Sequence, residues 1–166
     1  MDLIVECAGS ELFHAVAPKI SGRLDPQSER EELVTRFFVY SDSYLDFRHD
    51  VRKFLDQHVV ALNNSTDERM IANKRAEFQL VMEFIKDHLP GAFYRPGRTG
   101  VVPRVRFEAI TVGTALALRT NPKRLSNDLS WLKSSEFSEL VRTDASNSGP
   151  KLRGRIEFVR DKLLGH

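Results

Sequence analysis

Hydrophobic and polar positions repeat at helical spacing along nearly the whole chain. The first amphipathic segment, Glu11-Leu12-Phe13-His14-Ala15-Val16-Ala17, is short and stops near Pro18 and Gly22, because proline disfavours helical backbone in the residue before it. The next opens at Pro26 with Asp25 as its cap, and Glu29, Glu31 and Glu32 bring negative charge to the positive end of the helix dipole. Leu33, Phe37 and Tyr40 recur on its inner face, with Val34 and Phe38 beside them. After a turn at Ser41-Asp42-Ser43, residues 47–62 repeat the pattern through Phe47, Val51, Phe54, Leu55, His58, Val59 and Leu62, and Asn63-Asn64 ends it. Ser65 followed by Glu68 reads as a capping box opening the longest helix. Its stripe of Met70-Ile71, Lys74, Phe78, Val81-Met82 and Ile85 runs to Leu89, where Pro90-Gly91 stops it.

Residues 90–106 break the pattern: Pro90, Pro96 and Pro103, three glycines and no acid predict the longest irregular connection. A helix resumes over 107–118, apolar on nearly every face, as a helix surrounded by others should be. Gly113 and its small neighbours predict a close approach by another helix. Asn121-Pro122 closes this segment. Amphipathic stretches follow at 125–132, containing Trp131, and at 136–141. The polar loop 143–149 then leads to Ser148 as a cap, with Pro150 near the first turn. The last helix turns Leu152, Ile156, Val159 and Leu163 inward and Lys151, Arg153, Arg155, Arg160 and Lys162 mostly outward. The pattern predicts an all-α single domain over 1–166, with about seven helices in an irregular or bundle-like array.

Composition removes several function classes. At 166 residues, 41% of them apolar and 11 of them Phe, the chain can bury a sizeable core. Its apolar runs fall far short of the roughly 20 residues a membrane span needs, so no membrane partner is expected. Acids in Met1-Asp2-Leu3-Ile4-Val5-Glu6 stand where a signal peptide would carry positive charge, which argues for a cytoplasmic location. The single Cys7 excludes an internal disulfide and a multi-thiolate zinc site, and reads as a small apolar filler. His49, His58 and His88 lack metal-pair spacing. Asp42, Asp46 and Asp50 recur every four residues and could line one helix face, where a solvated surface is the simpler reading than a metal or acid–base site. No cofactor and no metal is expected, and no catalytic constellation stands out.

Charge changes the picture more. Residues 1–89 carry 11 Lys+Arg against 16 Asp+Glu, and residues 90–166 carry 14 against 7, so the net +2 conceals an acidic part of −5 and a basic part of +7. The basic part faces something negative: nucleic acid, or an acidic protein surface. Arg95, Arg98, Arg104 and Arg106 lie in the Pro/Gly/Arg-rich connection with Phe93 and Tyr94, and Lys151, Arg153 and Arg155 on the last helix. Arginine can pair with phosphate while a nearby ring stacks on a base. The alternative is that these cations pair with the acidic half or with another subunit, and stitch the fold together. Arg155, beside Gly154, could reach helix carbonyls inside it.

Three segments carry a family resemblance. Glu32-Leu33-Val34-Thr35-Arg36-Phe37-Phe38, followed by Tyr44 and Val51-Arg52-Lys53-Phe54-Leu55-Asp56, resembles the helical part of the GmrSD-type restriction endonuclease N-terminal domain family. Pro103-Arg104-Val105-Arg106-Phe107-Glu108-Ala109-Ile110 and the ending Lys151-Leu152-Arg153-Gly154-Arg155-Ile156-Glu157-Phe158-Val159-Arg160 are similar to the end of that region, in the same order over roughly residues 28–164. The resemblance implies a modification-dependent restriction or anti-phage defence system. The family's ParB/sulfiredoxin-like catalytic part precedes the helical part and carries an Asp-Gly-x-x-Arg type motif. This chain has no Asp-Gly dipeptide, no Gly-rich phosphate loop and no nuclease His/Asn cluster. No catalytic residue carries over, so the expectation is a non-enzymatic split subunit or a fragment, contacting DNA phosphates or supporting a catalytic partner encoded nearby. The alternative expectation is an interaction or scaffold module with no nucleic-acid binding.

Overall fold

The computed structural model describes residues 2–17, 26–95, 97, 100–142 and 148–166. Among them are eight α-helices, one 3-10 turn and no strand, so the chain is all-α. They are α1 (Asp2–Ala8), α2 (Glu11–Val16), α3 (Pro26–Ser43), α4 (Val51–Asn63), α5 (Glu68–His88), α6 (Arg104–Thr120), the 3-10 turn Ser130–Lys133, α7 (Ser135–Leu140) and α8 (Gly149–Leu164).

Several boundaries differ from the pattern, each for a local reason. Helix α1 was not expected from the acidic N-terminus, yet Leu3 and Cys7, one turn apart, bury its inner face. Cys7 is the apolar filler expected, and burial pushes its thiol up to about 12. Helix α3 runs through the predicted turn to Ser43. Phe47 is core but not helical, because Asp50 caps α4 by accepting a hydrogen bond from the Lys53 N–H at 3.0 Å. The cap of α5 is Asp67, which accepts from the Met70 N–H, and not Ser65, whose hydroxyl instead accepts from the Asp67 N–H. Helix α6 starts at Arg104, three residues earlier than expected, directly after Pro103. Of the 125–132 stretch only its last three residues are helical, within the 3-10 turn Ser130–Lys133. Asp25, Pro18 and Gly22 lie outside the described residues.

One cluster of buried apolar side chains draws on the acidic and basic parts alike. Its centre is aromatic. The Phe78 ring on α5 lies 5.7 Å from Phe13 and 5.4 Å from Phe37, and Phe107 lies 5.9 Å from Phe13 and 5.1 Å from Phe93, within the range where edge-on ring contacts are favourable. Helix α6 is the core helix, buried from Val105 to Ala115 on every face. At Gly113 helix α8 crosses so closely that a Cβ would stand 2.6 Å from the Cβ of Val159 and 2.8 Å from the Ile156 carbonyl. The close approach expected at this glycine is present.

Helices α3, α6 and α8 run in the same direction. Along α3 and α6, Glu32 meets Arg104, Arg36 meets Glu108, and Ser41 meets Arg119. Along α6 and α8, Glu108 meets Arg155, Gly113 meets Val159, and beyond α6 the Ser126 N–H donates to Leu163 O at 2.7 Å. Helix α5 runs the opposite way: Glu77 lies beside Arg119, and Phe93, just past its end, lies beside Phe107.

Candidate functional site

The most distinctive chemistry of the fold is a chain of alternating charges inside it. Glu108, on the apolar helix α6, is 1% exposed. Arg36 of α3 holds one of its carboxylate oxygens, and Arg155 of α8 holds the other at 2.7 Å. Arg36 also reaches Glu32, one turn earlier on α3, at 2.8 and 3.0 Å, and Glu32 in turn meets Arg104 at 3.1 Å. The order Arg104, Glu32, Arg36, Glu108, Arg155 thus runs from the start of α6 into the core. Burial works against the Arg36 charge, but Glu108, Tyr40 and Glu32 outweigh it and the guanidinium holds its proton more tightly than usual. Burial, with Glu108 adding to it, pushes the neighbouring Tyr40 hydroxyl well above its ordinary range, so this ring stays neutral.

Arg106 is buried differently. It is 3% exposed, its Nε donates to Ala92 O at 2.6 Å, its Nη2 donates to Leu132 O at 3.0 Å, and its guanidinium lies 4.7 Å from the centre of the Phe137 ring. None of these partners is a carboxylate. Burial, reinforced by nearby Arg95, pushes Arg106 down to about 10, still high enough to keep it cationic at neutral pH.

The residues expected to contact phosphate therefore separate. Arg106 and Arg155 are corrected: both are buried, and their guanidinium groups are used inside the fold, which takes them out of reach of DNA. Arg155 reaches the buried Glu108 carboxylate on the neighbouring helix. Arg104 and Arg106 sit in the first turn of α6 and not in a loop. Arg104 is half committed to Glu32. Arg153 is half-buried and donates to Leu45 O. Arg95 and Lys151 are exposed. Arg98 lies outside the described residues.

The pairing of basic with acidic half is present at the far end as well. Arg119 grips Glu77 at 2.5 and 2.8 Å, donates to Ser41 O at 2.6 Å and meets Asp42 at 3.3 Å, while Lys74 also pairs with Asp42. Asp42, Asp46 and Asp50 do not share a helix face, since Asp42 belongs to α3, Asp46 to a turn, and Asp50 is a cap. His58 contacts Phe54 O at 2.8 Å and His88 lies against Phe84. Among the described residues no group of His, Cys, Asp and Glu is arranged to hold a metal ion. No helix among them is long and apolar enough to cross a membrane.

No protein-family model, no curated protein and no solved structure matches the chain. The alternating network was missed in the sequence because its members are far apart: Arg36 and Glu108 are separated by 72 residues, and Glu108 and Arg155 by 47. One signal was available. Glu108 is the lone acid in the otherwise apolar run 107–118, and such a charge needs a buried partner.

Proposed function

We propose that the chain is a non-catalytic helical module that works by binding a protein partner, in the setting of the modification-dependent restriction or anti-phage defence systems its motifs resemble. The observation that carries this reading is the use made of the basic half. Arg106, Arg119 and Arg155 are spent on the fold's own carbonyls and carboxylates, and Arg104 is partly spent. What they build is a body whose three parallel helices are held in register by the Arg36–Glu108–Arg155 contact. Fixing register is the best-attested use of buried ionic groups. The three segments on which the resemblance rests supply this network: Glu32 and Arg36 from the first, Arg104 and Glu108 from the second, Arg155 from the third.

Co-expression with the product of the adjacent reading frame, followed by size-exclusion chromatography, tests the proposal. A joint peak is expected, and a chain that elutes alone and monomeric contradicts it. The second reading, phosphate contact with DNA, is favoured by the exposed Arg95 and Lys151. It requires duplex binding that falls steeply with salt, which a mobility-shift titration measures.

A further inference from the structure

Beside the start of α6 lies an open groove of about 320 Å³ lined by Arg95, Gly100, Val101 and Pro103. Pro103 is the residue that precedes α6 as its N-cap, so the groove adjoins the start of that helix. Three features give it a chemical preference. No side chain caps α6 and no acid lies in its first turn, although an N-terminus presents unpaired N–H groups and partial positive charge. Arg95 is exposed, makes no ion pair among the described residues, and is near enough to disfavour the charge on buried Arg106. At the start of α6 Arg104 meets the Glu32 carboxylate, which is already held by Arg36. The wall itself is apolar, with Val101 49% exposed.

The geometry points to this groove as the docking site for an acidic segment of the protein partner, in which a carboxylate lies next to an apolar side chain. The carboxylate is received by Arg95 and the start of α6, and the apolar side chain by Val101 and Pro103. Charge complementarity selects the occupant: the local excess is positive, and a partner carboxylate supplies the missing anion with a charge-assisted contact. A DNA duplex fits less well, because it presents a row of phosphates and no apolar side chain, whereas among the described residues the groove sets the exposed Arg95 against an apolar wall of Val101 and Pro103. The proposal rests on the partner-binding reading above and assigns it a place.

The probe is 4-methylpentanoate, a carboxylate with a branched apolar tail, titrated into the full chain and followed by amide NMR. Saturable shifts are expected at Val101, Arg104 and Val105, with an affinity on the order of 1 mM for a fragment of this size. Arg95→Glu should weaken binding by about tenfold, the value of one charge-assisted contact. The uncharged 4-methylpentan-1-ol should leave these amides unmoved. Absence of saturable shifts, equal shifts in Arg95→Glu, or equal shifts from the alcohol overturns the proposal. So does a short DNA duplex that moves these amides at physiological salt when the carboxylate does not. If the adjacent gene product still co-elutes undiminished with Arg95→Glu and Val101→Ser, the groove assignment falls while the partner-binding reading stands.

Discussion

Arg155 and Arg106 are two arginines of equal burial that the fold accommodates in opposite ways. Arg155 faces a carboxylate that is itself buried and shared with Arg36, so its charge is cancelled by charge and three helices are tied at one point. Arg106 faces two carbonyls and an aromatic ring, so its charge is only solvated by dipoles, and what it ties to α6 is the turn at Ala92 and the 3-10 turn at Leu132. The difference teaches where rigidity is placed. The carboxylate contact fixes helix against helix, and the carbonyl contacts fix connections against a helix.

The comparison breaks most visibly at Glu108. Glu108→Ala strips the buried Arg155 of its carboxylate and leaves Arg36 with Glu32 alone, and should cost about 3–5 kcal/mol, read as a lower urea midpoint. Replacing all three members together, as Arg36→Met, Glu108→Leu and Arg155→Met, should recover most of that loss, because the uncompensated charge is gone. A triple variant as unstable as Glu108→Ala would show that the network does more than cancel itself. Next in size is Gly113→Ala, which pushes a methyl into Val159 and the Ile156 carbonyl and should cost about 1–3 kcal/mol by thermal unfolding. Arg106→Met should cost only about 1–2 kcal/mol. It strands the carbonyls of Ala92 and Leu132 but also removes a desolvated charge, and faster hydrogen exchange near residues 92–94 would locate the loosened turn. The smallest change is expected from Arg104→Ala, within about 1 kcal/mol, since Arg104 is exposed and Glu32 only half-buried. A loss much larger than that, in the same urea titration, would mean that the outer and inner halves of the network are coupled.

Much of the fold was legible because it depends on local periodicity. Helices α3, α5, α6 and α8 follow apolar patterns that a sequence displays directly, and Gly113 inside an apolar run marked a close helix approach, though not which helix makes it. Where reading failed, a short-range signal was outbid by a nearby one. The chain at Phe47 looked helical, but Asp50 three residues on makes a better start. Prolines suggested a loop as far as residue 106, while the helix starts at Arg104 directly after Pro103, its N-cap. The candidate site was less legible, because an exposed and a buried arginine look identical in sequence. Arg95 and Arg106 were placed in one set, and what parts them is the position of Ala92, Leu132 and Phe137, which tertiary structure alone supplies.

The common direction of α3, α6 and α8 has one more consequence. Peptide dipoles that cancel between antiparallel neighbours add across these three helices, while α5 opposes them. The body therefore carries an axis with a sign, with partial positive charge gathered where α3, α6 and α8 start and partial negative charge where they finish.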